Sequence, residues 1–279
     1  MELVASLNEA LKYIEHHLLE EADSALAARH VGLSRFYLER TFASLTGMSV
    51  SEYIRARRLS LAAHELLAGD VKVIDLALKD GYDTPESFTK AFSRFHGVTP
   101  TSARRMSTLL RYQNPLAISI KMEGATMMNY KIEQMDAFTL CGVERSFKMD
   151  TSTSEIPKFW QEFFEQGMQQ KVCPVFGVCF DADAEGNFPY LIADMLKPGM
   201  TVPEGLVTRK VPAHLWARFS CVGTMPGAIQ DVTRQVYSEW LPTNGIYEVA
   251  QYIEIEMYSD GDTTSPNYYS EVWIPIRKK

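Results

Sequence analysis

The feature that most constrains this chain is a change in the spacing of its apolar residues partway along. From Leu3 to about Arg105 they recur at helical spacing, as in Leu7, Leu11, Ile14 and Leu18 and again in Leu59, Ala62, Ala63 and Leu66. After Ala117 they fall into short alternating runs rich in Val, Ile, Tyr and Phe, broken by Gly, Pro and Asp clusters, with two helical segments between them. A helical half and a mixed half need separate cores, and 279 residues suffice for two domains of roughly 100 to 170 residues each. The expected organisation is multidomain: an all-α domain over residues 1–107, a linker over 108–126 that includes Asn114-Pro115 and Glu123-Gly124, and an α+β domain over 127–279.

Several classes of function are disfavoured by what the residues do not supply. No apolar run approaches the ~20 residues of a membrane-spanning helix, and Met1 leads into an amphipathic segment, so a cytoplasmic protein with no membrane partner is expected. The four cysteines, Cys141, Cys173, Cys179 and Cys221, include no C-x-x-C pair, which leaves reduced packing thiols as the expectation and a redox sensor as the alternative. His16, His17, His30, His64, His96 and His214 form no ligand set, and neither a P-loop nor a dinucleotide fingerprint occurs; no metal, cofactor or catalytic residue is assigned.

A net charge of −7 argues at first against nucleic acid, but the charge is unevenly placed. Residues 1–110 hold 13 Lys and Arg against 14 Asp and Glu, whereas the remainder holds 15 against 21. Within the first half Arg35, Arg40, Arg55, Arg57, Arg58, Lys90, Arg94, Arg104 and Arg105 fall where helices would meet a duplex, or else form a solvated face.

Order and spacing favour the duplex. Leu26 to Phe42 reads as a helix ending near His30, a turn at Val31-Gly32-Leu33, and Ser34 as N-cap of a second helix. Its exposed face is expected to carry Arg35, Phe36, Glu39 and Arg40. The plan repeats: Val73 to Leu78, a turn at Asp80-Gly81-Tyr82, Thr84 as N-cap and Pro85 as first helical residue of a segment running to Phe95. A long helix over Ser51 to Leu67 joins the units, and two recognition helices about 34 Å apart can enter successive major grooves of double-stranded DNA.

The stretches GLSRFYLERTFASLTGMSVSEYIRARRLSLA and VIDLALKDGYDTPESFTKAFSRFHGVTPTSARR resemble the AraC/XylS regulator family across roughly residues 3–107, the second being its signature region. The resemblance implies a homeodomain-like double helix-turn-helix domain. It also implies base-facing roles for Phe36 and Arg40 in the first recognition helix and for Pro85, Glu86, Thr89 and Lys90 in the second. The family's better-known stress regulators have polar amides where Pro85 and Glu86 stand, so a different operator is expected. Arg40 suits bidentate pairing to guanine and Glu86 suits a cytosine amine, or Glu86 simply favours the helix N-terminus. Phe36 either meets a thymine methyl or packs, and Arg55, Arg57, Arg58 and Arg94 serve phosphates or internal ion pairs.

In the second half Lys131 to Phe147 and Arg209 to Thr224 share a strand-turn-strand pattern; each is followed by a helix and then two strands. A duplicated strand-helix-strand-strand unit is expected to place two antiparallel sheets and two helices around one pseudo-twofold cleft. Period two puts Tyr252, Glu254, Glu256 and Tyr258 on one strand face and Ile253, Ile255 and Met257 on the other. Phe138, Trp160, Tyr190, Trp216 and Trp273 fall in or beside the same elements, and aromatic walls around Glu254, Glu256 or Glu271 suit a lipophilic cation.

The segments IEIEMYSDGD and YYSEVWIPI resemble the GyrI-like domain over about residues 129–279, and the order of the two modules resembles the Rob-type layout. The resemblance implies a small-molecule effector domain whose pocket glutamate corresponds to Glu256, with Glu254 and Glu271 as competitors. The implied function is a DNA-binding transcription regulator controlled by an amphipathic or cationic aromatic effector, with RNA polymerase as a further partner. The alternatives are a hydrolase using a pocket glutamate as general base, and a protein-docking module.

Overall fold

A computed structural model describes residues 2–20, 22–105, 110–119, 128–183, 185–197 and 199–279. No described helix is long and apolar enough to cross a membrane. Contacts divide the chain into two compact units. One comprises Val4–Gly32 and Met48–Ser119; the other comprises Met1–Leu3, Leu33–Gly47 and Ile120–Lys279.

The first unit is helical. It contains most of α1 (Glu2–His16), then α2 (Ser24–His30), α4 (Val50–Ala68), α5 (Val73–Lys79), α6 (Pro85–His96) and α7 (Pro100–Arg105). Local chemistry sets their ends. Ser49 and Glu52 cap α4 reciprocally, and Thr84 accepts from the Ser87 N–H at the start of α6, where Pro85 occupies the position that needs no donor. Gly81 in the α5–α6 turn has φ 81°, the left-handed region in which a side chain is strained. Phe88 and Phe92 of α6 pack with Leu59, Leu66 and Leu76 in the core.

Of the expected linker, residues 110–119 are described and contain neither helix nor strand; the rest lies outside the described residues. This segment is strapped to the helices. Arg57 makes a two-pronged pair with Glu15 and donates to the Gln113 carbonyl, Tyr53 donates to Glu15, and Asn8 bonds both the N–H and the carbonyl of Ile118. Arg58 donates to the Leu18 and Glu20 carbonyls, so Arg57 and Arg58 serve internal bonds.

The second unit is built on a single nine-stranded antiparallel sheet rather than the two sheets expected. Its strands are β1 (Tyr130–Met135), β2 (Phe138–Lys148), β3 (Phe176–Phe180), β4 (Asn187–Met195), β5 (Val207–Val211), β6 (His214–Val222), β7 (Tyr247–Val249), β8 (Ile253–Tyr258) and β9 (Tyr269–Lys278). The order β1-β6-β9-β8-β3-β4-β2-β5, with β7 on β9, shows the duplication directly. Each half contributes two strands, a helix and two further strands, the leading strands β1 and β5 pair across to the other half, and β3 and β8 pair at the pseudo-twofold. That central pairing fuses two half-sheets into one. Helices α8 (Met149–Glu165) and α9 (Gly227–Gln235), the latter continued by a π-helical turn at Val236–Trp240, cover one face.

This unit also includes α3 (Arg35–Thr46), the second helix of the first helix-turn-helix motif, capped by Ser34 and ended by Gly47 at φ 74°. It packs between α8 and the α9–π segment, over the sheet centre.

Candidate functional site

The groove between α8 and α9 is walled by the helix-facing residues of the central strands. On β8 the alternation is as the sequence indicates: Ile253, Ile255 and Met257 enter the core of the opposite face, leaving Glu254, Glu256 and Tyr258 toward the helices. A cavity of about 570 Å³ opens there, lined among others by Phe36, Ile156, Trp160, Tyr190, Glu256 and Tyr258.

Glu256 is its chemical centre. The Tyr190 and Tyr258 hydroxyls both donate to Oε2 at 2.9 Å, and the Trp160 indole N–H donates to the Tyr190 oxygen at 3.0 Å. Burial pushes the Glu256 carboxyl up, and neighbouring Glu254 adds to this against Arg40 and the two hydroxyls. Tyr190 and Tyr258 are likewise raised, first by burial and then by Glu256. Gly177, paired with Glu256 across β3–β8, makes the network possible: a Cβ there would collide with the Tyr190 hydroxyl and stand 3.0 Å from Glu256 Oε2. A lone glycine in the strand run Phe176–Phe180 was the available sequence signal for that approach.

Glu254, two residues away on the same face, is fully buried and its Oε1 accepts from Arg40 at 2.5 Å. Burial would lower the Arg40 pKa, but Glu254 reverses this and raises it. The Arg40 guanidinium also lies 5.8 Å from the Tyr237 ring centre.

The other α3 residues are held as firmly. Phe36, 3% exposed, meets Phe188 edge to face at 5.6 Å; Tyr37 lies 5.6 Å from Tyr252 and 6.1 Å from Tyr237. The Asp181 carboxylate, raised by burial, accepts from the Ser34 hydroxyl and the Phe36 backbone N–H, and the Arg35 guanidinium packs over Gly186 in the same β3–β4 hairpin. The expectation that Phe36, Glu39 and Arg40 form an exposed face is therefore corrected. Phe36 and Glu39 are buried and Arg40 is half-buried, because the sheet and its helices cover that side of α3. Asp181 and Tyr237 were not singled out from sequence; no local pattern marks either.

On α6 the corresponding positions behave differently. Glu86, Lys90 and Arg94 are exposed and share a face at four-residue spacing, with Pro85 and Thr89 half-buried beside them.

The remaining candidates lie on the far face of the sheet. Trp216 and Trp273 are in the opposite core with Phe138 packed against it. Glu271 sits beside them, accepting from Trp273 Nε1, Tyr269 and Arg218, whose guanidinium stacks 4.0 Å over Trp273 and also reaches Glu133. Burial would raise Glu271, but these donors hold it below the usual range. Thus Glu256, Tyr190, Trp160 and Tyr258 meet at the cavity, Glu254 lies behind Arg40, and Glu271, Trp273, Trp216 and Phe138 do not reach it.

Comparison with known proteins agrees with both halves. Residues 131–276 match the family "Integron-associated effector binding protein", and residues 27–106 match a helix-turn-helix domain family. The HTH-type transcriptional activator AarP of Providencia stuartii is 37% identical over 102 residues, covering 37% of this chain and 76% of that one. The right origin-binding protein of Escherichia coli K12 is 26% identical over the whole of both chains. Among solved structures, SAV2435 bound to tetraphenylphosphonium aligns at TM-score 0.48 with 24% identity, covering 54% of this chain and 94% of that one. The chain belongs to the AraC-type helix-turn-helix transcription regulators, and within them carries a GyrI-like domain of the integron-associated effector-binding family.

Proposed function

We propose that the regulator senses a lipophilic aromatic cation, with residues 127–279 as the sensor and residues 1–107 as the DNA-binding module. The observation that carries this is Glu256: a carboxylate at an aromatic-walled cavity whose own hydrogen-bond donors are neutral hydroxyls. Its charge is partly desolvated and has no salt-bridge partner among the described residues, so a cation gains direct pairing there beside the rings of Trp160 and Tyr258. DNA is read by the Pro85, Glu86, Thr89, Lys90 and Arg94 side of α6, and by Arg35, Phe36 and Arg40 of α3 once that helix leaves the cleft. Regulation follows through operator occupancy or contact with RNA polymerase, in the cytoplasm. The chain acts as a binding protein rather than an enzyme, in keeping with the regulators it resembles.

Calorimetry of the full chain with tetraphenylphosphonium and with tetraphenylborate, of similar shape and opposite charge, tests the reading. Binding of the cation alone supports it; equal binding of both, or of neither, removes the basis for a cation sensor.

A further inference from the structure

The two recognition helices are not in equivalent states. The outward residues Glu86, Lys90 and Arg94 of α6 are free to meet a duplex, whereas Phe36 and Arg40 of α3 are engaged with the effector cleft. What those two supply is the chemistry a cationic aromatic ligand would supply. Phe36 contributes a ring to the cavity wall beside Phe188, and Arg40 contributes a cation to Glu254, one strand repeat (about 7 Å) from Glu256. Both side chains line the same cavity as Glu256.

We propose that α3 is a tethered internal ligand of the effector cleft, so that the cleft and DNA compete for Phe36 and Arg40 and a cationic aromatic effector releases the helix by taking their place. The proposal rests on the cation-sensor reading of the cleft.

The carboxylate pair gives the device its direction. Undocking α3 removes the guanidinium from Glu254, a fully buried side chain, and leaves it only the neutral Tyr237 hydroxyl as a partner. Leaving that charge without a cation opposes release in the absence of an effector. A cation entering the vacated space restores the pairing, and a ligand long enough to reach both Glu256 and Glu254, with cationic groups about 7 Å apart, restores most of it. Because the closed state fills part of the site with Phe36 and Arg40, the effector binds the open state better, which is the differential affinity a shift requires. A second latch holds the helix start: Asp181 accepts from Ser34 and the Phe36 N–H. Asp181 lies outside the cavity lining, so it separates the latch from the ligand site.

The test uses full-length wild type, Glu254→Gln and Asp181→Asn, without effector. Two quantities are read: amide hydrogen exchange of residues 35–46, and affinity for a duplex selected from a random pool by the Glu254→Gln chain. The expected result is roughly tenfold faster exchange in α3, with sheet exchange unchanged, and roughly tenfold tighter DNA binding in Glu254→Gln, the size of one charge-assisted bond. Asp181→Asn should move both in the same direction by less. Should α3 exchange and DNA affinity stay within twofold of wild type in both variants, the internal-ligand proposal is overturned. That failure leaves the sensor reading intact if tetraphenylphosphonium still binds through Glu256; loss of folding in Glu254→Gln leaves Asp181→Asn to decide.

Discussion

Replacing Glu256 by Gln should weaken the effector and strengthen the empty protein. A cation about 5 Å from a carboxylate at an effective dielectric near 20 gains about 3 kcal/mol. The carboxylate is half-buried and bonded to Tyr190 and Tyr258 before the ligand arrives, so only part of that gain is lost to desolvating it at binding. Allowing for the tyrosine dipoles that remain, Glu256→Gln should cost about 1.5–3 kcal/mol, or roughly 10- to 100-fold in Kd for tetraphenylphosphonium. The sign of the stability effect is opposite. Burial raises Glu256 above 4.5, so between its unfolded and folded values the native chain binds more protons than the unfolded chain, and stability falls as pH rises. The penalty is complete above the folded value and absent below the unfolded one. The Gln variant lacks this slope and should melt higher at neutral pH. For wild type, cation affinity should rise tenfold per pH unit below the folded pKa and level off above it. Calorimetry and melting across pH 4–8 read all three effects. A Gln variant that binds within twofold of wild type, or a wild-type affinity independent of pH, refutes the reasoning.

Other outcomes separate the cleft from its surroundings. Gly177→Ala should cost about 1–3 kcal/mol in a denaturant melt and weaken cation binding, because the added methyl displaces the Tyr190 hydroxyl from Glu256. Glu271→Gln should lower stability by about 1–3 kcal/mol, since Arg218 and Trp273 lose a charged acceptor, while calorimetry finds cation affinity unchanged. Lys90→Ala and Arg94→Ala should each weaken DNA binding and reduce the slope of log affinity against log salt by about 0.9, if each neutralises one phosphate.

The parts of the fold governed by local chemistry were readable in advance. Ser34 and Thr84 as caps, Gly32 and Gly81 as left-handed turns, and the alternation of Glu254, Glu256 and Tyr258 against Ile253, Ile255 and Met257 follow from residues a few positions apart. Strand period fixes which residues share a face but not which face the helices cover. Glu271 and Trp273 therefore read as pocket candidates, although the β8–β9 register puts Glu271 opposite Met257 on the far face. The single sheet depends on the long-range β3–β8 pairing and the exchange of β1 and β5, neither of which leaves a local signature. The burial of α3 had one visible hint: counted from the N-caps Ser34 and Thr84, Phe36 and Tyr37 stand where α6 carries the exposed Glu86 and Ser87.

The most direct test of the account is the affinity of the full chain for its selected duplex with and without saturating tetraphenylphosphonium. The account predicts tighter DNA binding with the cation, the same factor appearing in cation affinity when DNA is present, and loss of both in Glu256→Gln. A cation that binds through Glu256 yet leaves DNA affinity unchanged would contradict the claim that the cleft controls the recognition helix.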